Sequence, residues 1–126
     1  MKLSQAFLIC ISFVMIFAIS SCSKSTTSPG PRLVSPANNS LNIAASQIFT
    51  CSSITNATVY QFVFVDNTTG GTDQAYVTSS VNTTNLNNLN GSFLSLTSGH
   101  VYSWYVLVTY TNNSTQTTPT WSFTAQ

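Results

Sequence analysis

Charge is nearly absent from this sequence. Only 4% of its 126 residues are Asp, Glu, Lys or Arg, whereas an average soluble protein has about 25%. Glutamate does not occur, and the charged residues are Lys2, Lys24, Arg32, Asp66 and Asp73. Nucleic-acid binding needs basic side chains that neutralise phosphates, so this class of function is excluded. Acid–base catalysis needs groups that titrate near neutral pH, and we therefore expect no enzymatic activity and no cofactor.

Cysteine is also scarce, with three residues in the chain. Once the N-terminus is processed as described below, Cys51 is the one thiol left in the folded domain, which excludes an intramolecular disulfide framework. A nucleophilic cysteine needs an accessible thiolate beside a base. Cys51 lies instead in a strand pattern that predicts an inward side chain. We expect a buried, unreactive thiol, and the alternative is pairing with a cysteine of another chain.

Candidate metal ligands are few. Asp66 and Asp73 flank the Gly-containing turn at 67–72, and two carboxylates around such a turn offer oxygen atoms to Ca²⁺. The spacing does not match an EF-hand loop, and Asp, Asn and Gly are the ordinary residues of hairpin turns. His100, the single histidine, lies in a predicted turn before an apolar strand. We therefore predict no metal site, and we expect His100 to be a solvated turn residue.

The N-terminal segment has the pattern of a secretory signal. Lys2 precedes an apolar run over residues 6–19, which is shorter than the roughly 20 residues that span a bilayer. The tetrapeptide Ile19-Ser20-Ser21-Cys22 follows. It resembles the lipobox of bacterial lipoproteins, in which the cysteine becomes the first mature residue and its sulfur accepts a diacylglycerol. The alternatives are an ordinary signal with an incidental cysteine and an uncleaved N-terminal anchor.

The lipobox resemblance implies three properties of this chain. Residues 1–21 are a cleaved lipoprotein signal peptide, Cys22 is the lipid attachment site, and the protein is anchored to a membrane of a bacterial cell envelope. Ser23 resembles the residue that, in lipoprotein sorting, directs release to the outer membrane. Residues 22–31 are rich in Ser, Thr, Gly and Pro, and this composition predicts a flexible tether before a domain at 32–126.

The domain at 32–126 has the pattern of an all-β fold. Short apolar stretches alternate with turns of Asn, Thr, Ser and Gly, and Thr, Val and aromatic residues favour strands. The spacing of about 8–12 residues predicts a seven-stranded antiparallel β-sandwich. The strands are expected at Arg32–Val34, Leu41–Ala44, Gln47–Ser53, Thr58–Val65, Gln74–Val81, Ser92–Leu96, Val101–Tyr110 and Thr120–Ala125, with Thr83–Leu86 as the alternative to Ser92–Leu96.

Several segments resemble the fibronectin type III-like domain, an immunoglobulin-like sandwich of bacterial surface proteins. They are the opening Leu33–Asn38, Phe49–Ser52, Tyr60–Phe64, the corner Leu96-Thr97-Ser98-Gly99-His100-Val101-Tyr102-Ser103-Trp104, and the closing Trp121–Thr124. One departure is Cys51, which stands where this family usually has Trp. By analogy with the tyrosine corner of such domains, the hydroxyl of Tyr102 is expected to bond to the backbone just upstream.

Side-chain alternation assigns each strand residue to a face. The predicted core consists of Tyr60, Phe62, Phe64, Tyr102, Trp104, Val106 and Val108, with Phe49, Cys51, Trp121 and Phe123. The opposite face of the same two strands carries four apolar residues: Val63, Val65, Tyr105 and Leu107. Fibronectin-like domains place these strands side by side, so the four residues are expected to form an exposed apolar patch. Contiguous patches of this kind often mark contact surfaces, and the alternative is that they have no dedicated role.

Two functions from different classes follow. The first is a membrane-anchored, non-enzymatic binding or adhesion module whose partner is a protein or carbohydrate at the cell surface. The second is a structural envelope subunit that self-associates, because a chain with so few lysines leaves its sheet edges poorly protected against edge-to-edge pairing.

Overall fold

The computed structural model describes residues 29–126. They form ten strands and one 3₁₀ turn at Leu86–Asn88, and this part of the chain has no α-helix. The strands are β1 Leu33–Ser35, β2 Ser40–Ile43, β3 Phe49–Cys51, β4 Ala57–Asp66, β5 Gln74–Ser79, β6 Thr83–Thr84, β7 Asn90–Gly91, β8 Val101–Tyr110, β9 Thr115–Thr117 and β10 Trp121–Ala125. The predicted all-β class is confirmed, but the predicted number of seven strands is wrong, because several short strands at 83–84, 90–91 and 115–117 also pair. Within residues 29–126, no helix is long and apolar enough to cross a membrane.

The strands form two sheets, as expected for a sandwich. The small sheet has the order β1-β3-β6, and the large sheet has the order β2-β10-β8-β4-β5-β7, with β9 also paired to β8. The prediction of a purely antiparallel sandwich is wrong, because β2 runs parallel to β10. Side-chain alternation has the same period in both kinds of pairing, so the sequence pattern carries no information on this direction.

The predicted strand at Ser92–Leu96 is also wrong, and the alternative segment near Thr83 supplies strand β6 instead. Only Asn90–Gly91 pairs with β5, and Ser92 then turns away after its hydroxyl accepts a hydrogen bond from the Gln74 amide at 2.6 Å. Gly91 has φ 128°, and a Cβ there would lie 2.3 Å from the Gln74 carbonyl oxygen. Glycine is therefore required where this edge approaches β5.

The core lies between the sheets and contains the side chains that alternation assigned to it. Phe49 is at its centre, with ring centroids 4.9 Å from Trp104, 5.0 Å from Phe64 and 5.3 Å from Phe123. Each of these rings is fully buried or nearly so, and burial of one large apolar side chain contributes about 1.5–3 kcal/mol. Trp121, also predicted for the core, is half-buried and packs against its rim.

The predicted bond of the Tyr102 hydroxyl is confirmed. The backbone amide of Thr97, five residues upstream, donates a hydrogen bond to it at 2.9 Å. This bond joins the loop before β8 to the core side of the strand.

Strands β4 and β8 form the centre of the large sheet and are paired along nearly their full length. Both have ten residues, and their partners run from Ala57 opposite Tyr110 to Asp66 opposite Tyr102. The chain enters beside the first of these ends, which we call the tether end. There the Arg32 carbonyl accepts a hydrogen bond from the Ser52 amide at 2.7 Å.

Candidate functional site

The outer face of the large sheet carries a row of three apolar side chains across β8, β4 and β5. Val63 on β4 is directly opposite Tyr105 on β8 and directly opposite Tyr76 on β5. Directly opposed residues point to the same face of a sheet. We call Tyr105, Val63 and Tyr76 the tyrosine row. Val65 and Leu107 lie on the same face. They are the next residues on this face along β4 from Val63 and along β8 from Tyr105 respectively.

The valine in the middle of this row is shielded from solvent. Val63 is only 8% exposed, although alternation points it away from the core. Side chains on the same face must therefore shield it, and Tyr105 and Tyr76 are its direct cross-strand neighbours. Tyr76 itself is 41% exposed. The low exposure of Val63 therefore shows that its neighbours on this face cover it, while a large part of Tyr76 remains open to solvent.

Polar but uncharged side chains surround the tyrosine row. Register places Gln61 and Thr78 beside Leu107 on one flank, and Ser103 and Gln74 beside Val65 on the other. The Ser103 hydroxyl accepts a hydrogen bond from the Asn67 side-chain amide at 2.6 Å. The Asp, Glu, Lys and Arg residues among 29–126 are Arg32, Asp66 and Asp73, and none of these three belongs to the outer face.

The strand beside β8 is interrupted next to Tyr105. β9 pairs with β8 from Leu107 to Thr109, and β10 pairs with it from Val101 to Trp104. Thr118, in the break, exchanges hydrogen bonds with Val106 through its amide (3.0 Å) and its hydroxyl (2.9 Å). Pro119 follows, and a proline cannot donate to the ladder. Tyr105 is therefore paired with β4 alone.

The sequence placed part of this face correctly. The predicted adjacency of the strands carrying Val63 and Tyr105 is confirmed by their register. The expectation that Val63 is exposed is wrong, for the reason given above. Tyr76 was missed, although its signal was present: Ala75 and Val77 are the apolar positions of the predicted strand that fit the core face, and the residue between them then points to the outer face.

A second polar arrangement joins the turn after β4 to the start of β8. His100 Nδ1 lies 2.8 Å from Asp66 Oδ2, and Asp66 Oδ1 accepts a hydrogen bond from the Thr68 amide at 2.9 Å. Asp66 is buried and the His100 side chain is 26% exposed. The expectation of a solvated turn residue is met only in part: the His100 side chain is partly exposed, but a carboxylate 34 residues away along the chain holds it.

Two opposing effects act on the Asp66 carboxyl. Burial raises its pKa. The hydrogen bond from His100, the hydrogen bonds from the backbone of Thr68 and Thr69, and electrostatic attraction to His100 lower it. The lowering effects prevail, so the pKa of Asp66 is below its ordinary value and the carboxylate stays ionised. The pair therefore acts as a fixed electrostatic contact between two segments of the fold.

Asp73, the other predicted turn carboxylate, has a different position. Its backbone carbonyl accepts the Asp66 amide at 3.0 Å. In the described part of the chain, no three His, Cys, Asp or Glu side chains are placed together to hold a metal ion.

Cys51 is fully buried, as predicted, and forms no disulfide. Burial raises the pKa of its thiol to about 11, so the reactive thiolate is a minor species at neutral pH. Cys22, the predicted lipid attachment site, lies outside the described residues together with the signal peptide and most of the tether.

One depression of about 360 Å³ lies at the tether end, between the turn before β4 and the hairpin after β8. Its wall includes Ile54, Asn56 and Asn112, and Tyr110, whose hydroxyl donates to Gln116 Oε1 at 2.8 Å. Nothing in the sequence predicted this depression, since its walls come from separate turns. It is open to solvent and holds no carboxylate, histidine or thiol, so it offers hydrogen bonding but no acid–base chemistry.

Comparisons of the chain with protein-family models, with curated protein sequences and with solved structures find no match.

Proposed function

We propose that this protein is a lipid-anchored, non-enzymatic binding module of a bacterial cell envelope, and that the outer face of the large sheet is its contact surface. The observation that carries the proposal is the tyrosine row, a contiguous apolar strip on an uncharged sheet face. Antiparallel strands with one solvated face normally alternate apolar and polar residues. The outer positions of β4 and β8 depart from this rule at Val63, Val65, Tyr105 and Leu107, which favours a contact role over simple solvation.

The fibronectin type III-like identity of the domain is part of the same proposal. Sandwiches of the immunoglobulin class place strands A, B and E in one sheet and strands C, F and G in the other. The orders β1-β3-β6 and β10-β8-β4 fit this division, and the Tyr102 hydroxyl bond fits a tyrosine corner. These features support the assignment, while the parallel β2–β10 pair is an addition to that plan.

The lipid anchor rests on the tetrapeptide ending at Cys22. Two or more acyl chains give stable membrane attachment, because each buried methylene contributes about 0.8 kcal/mol. The test is metabolic labelling with palmitate followed by membrane flotation. Wild type and Cys10→Ala should label and float, whereas Cys22→Ala should do neither. A labelled, floating Cys22→Ala protein would remove the anchor from this proposal.

The contact surface is tested by co-sedimentation of the full chain with the detergent-insoluble envelope fraction of a deletion strain of the source bacterium, in detergent, so that the proposed lipid anchor stays in micelles and does not itself cause retention. Tyr105→Lys places a charge in the uncharged row, and we expect it to abolish retention. Ile48→Lys is the matched control, since Ile48 is 50% exposed and precedes β3 of the other sheet. Equal retention of both variants would show that the outer face is not the contact surface.

A self-associating envelope subunit is the second candidate. It is favoured by the outer edge of β5, where β7 pairs only with Ala75 and Tyr76 and no charged residue interrupts the strand. Such an edge is open to pairing with another chain. Mass measurement of the full chain at rising concentration separates the candidates, because edge pairing predicts growing assemblies and the binding module predicts a constant mass.

A further inference from the structure

Asn90 precedes Gly91, and this is the one Asn-Gly pair of the sequence. Glycine has no Cβ, so its backbone nitrogen can approach the preceding asparagine side chain without a steric clash. The two residues form β7, the last strand of the large sheet, and both are exposed. Asn90 is directly opposite Tyr76 of β5, which places its side chain on the outer face. The pair therefore lies at an open sheet edge, on the same face as the tyrosine row.

The register of β7 leaves the Gly91 amide without a partner in β5. Opposed pairs in an antiparallel ladder are alternately hydrogen-bonded and not hydrogen-bonded. The Ser92 amide donates to the Gln74 carbonyl at 2.7 Å, so these two residues form a hydrogen-bonded pair. The next pair, Gly91 opposite Ala75, is consequently not hydrogen-bonded, and the Gly91 N–H points away from β5. None of the turn and loop hydrogen bonds within residues 29–126 involves this amide either.

The other asparagines that precede a small residue differ in this respect. Three of them are followed by Ala or Ser: Asn39, Asn56 and Asn113. In each case the next amide donates a hydrogen bond: Ser40 to the Ala37 carbonyl at 3.2 Å, Ala57 to the Ile54 carbonyl at 3.3 Å, and Ser114 to Asn112 Oδ1 at 3.0 Å. A bonded amide is held in place and is less available as a nucleophile. Among these four sites, only the one at Asn90 has a free amide after it.

The Asn90 side chain is itself weakly held. Its nitrogen lies 3.5 Å from the Asn88 carbonyl oxygen, beyond the roughly 2.7–3.2 Å of an ordinary N–H···O bond. A two-residue strand at a sheet edge has few bonds to break, so it opens locally at little cost in free energy. The side-chain carbonyl carbon of Asn90 can then meet the Gly91 nitrogen, and a bond between them closes a five-membered ring.

We infer that Asn90 is a site of spontaneous deamidation, through attack of the Gly91 nitrogen on the Asn90 side-chain carbonyl carbon, Cγ. The nitrogen gives up its proton and bonds to Cγ, the bond from Cγ to Nδ2 breaks, and ammonia leaves with that proton. Water then opens the succinimide ring. Addition of water at Cγ gives an aspartyl residue, and addition at the backbone carbonyl gives an isoaspartyl residue. The net reaction consumes one water and releases one ammonia.

The product carries a carboxylate on a face that has none. An aspartyl side chain has an ordinary pKa of about 4, so it is ionised at neutral pH. The sequence has two acidic side chains, Asp66 and Asp73, and neither belongs to the outer face. The new charge lies opposite Tyr76 and beside the edge of β5, where it opposes pairing with another chain. This inference goes beyond the proposed function and does not depend on it.

The test is incubation of the purified full chain in detergent at pH 6 and at pH 8. Isoelectric focusing measures the acidic form, and isoaspartyl methyltransferase labelling with peptide mapping locates the modified residue. We expect one acidic form, modified at position 90, with an equal amount of ammonia. It should accumulate faster at pH 8, because the attacking nitrogen must lose its proton. Asn90→Gln should lose this form, since glutamine would have to close a less favourable six-membered ring. Asn113→Gln is the matched control and should form it at the wild-type rate.

The same incubation in denaturant separates the effect of the fold from that of the sequence. Unfolding frees the amides after Asn39 and Asn113, so these residues should then convert as well, more slowly than Asn90. Two results would overturn the inference. One is a folded chain that stays unmodified at position 90. The other is a folded chain in which Asn39, Asn56 or Asn113 converts as fast as Asn90, because hydrogen bonding of the next amide would then not select the site.

Discussion

The contact between Asp66 and His100 makes a prediction about stability and pH. In Asp66→Asn, the remaining oxygen can still accept from the Thr68 amide, but the bond to His100 loses its negative charge. Hydrogen bonds to charged groups contribute about 1.5–3 kcal/mol. We therefore expect the free energy of unfolding at pH 6 to fall by about 2 kcal/mol in denaturant titrations of the full chain.

The dependence on pH follows from the lowered pKa of Asp66. A carboxyl group with a lower pKa in the folded than in the unfolded chain contributes stability that is fully present above the unfolded-state value, about 4. This contribution is lost as the pH falls through the folded-state pKa. Wild type should therefore lose more stability than Asp66→Asn as the pH falls below about 4.

Asp73→Asn is the matched control, because it removes a neighbouring carboxylate whose position is fixed by its backbone. Its stability at pH 6 should lie within about 0.5 kcal/mol of wild type. Two results would refute the reasoning: an Asp66→Asn protein as stable as the control, or the same acid sensitivity in wild type and Asp66→Asn.

Three further predictions concern the core and the sheet edge. Tyr102→Phe removes the acceptor of the Thr97 amide and should lower the free energy of unfolding by about 1 kcal/mol in denaturant titration; an unchanged midpoint would count against this bond. Cys51 should react with a thiol reagent slowly until denaturant is added, because its thiol is buried with a pKa of about 11; rapid labelling of the folded chain would contradict the described core. Gly91→Ala places a methyl group against the Gln74 carbonyl and should lower the free energy of unfolding by about 1–3 kcal/mol. Amide hydrogen exchange should become faster at the β5–β7 edge alone, and unchanged exchange at this edge would show that it accommodates the methyl group.

The sequence predicted best where apolar alternation is long. The strand at Val101–Tyr110 has the predicted bounds, and β4 differs from its prediction by one residue at each end. Ten residues of period-two alternation leave few other ways to bury one face. The core residues of these strands followed directly from that alternation.

Contacts between residues far apart in the sequence explain why the other predictions were wrong or incomplete. Ser92–Leu96 contains apolar residues typical of a strand, but Ser92 is held by Gln74 and the chain then leaves the sheet. The contact between His100 and Asp66 could not be predicted from the sequence, because the two residues are 34 positions apart. The parallel partner of β10 was equally inaccessible, since alternation is blind to direction. On the candidate face, Tyr76 is the residue that the sequence could have predicted and that the prediction omitted.

The point where the chain enters the sandwich decides which end of the domain would be held near a bilayer. Gly30 lies beside Gln116, and Arg32 bonds to Ser52, so both ten-residue strands start or finish near this point and extend away from it. With a lipid on Cys22, the strand ends at Ala57 and Tyr110 would be the ones attached closer to the membrane, and the opposite ends would reach up to about 30 Å farther out. Because the predicted tether is flexible, the domain would pivot about this end, so the outer face could meet a partner from many directions.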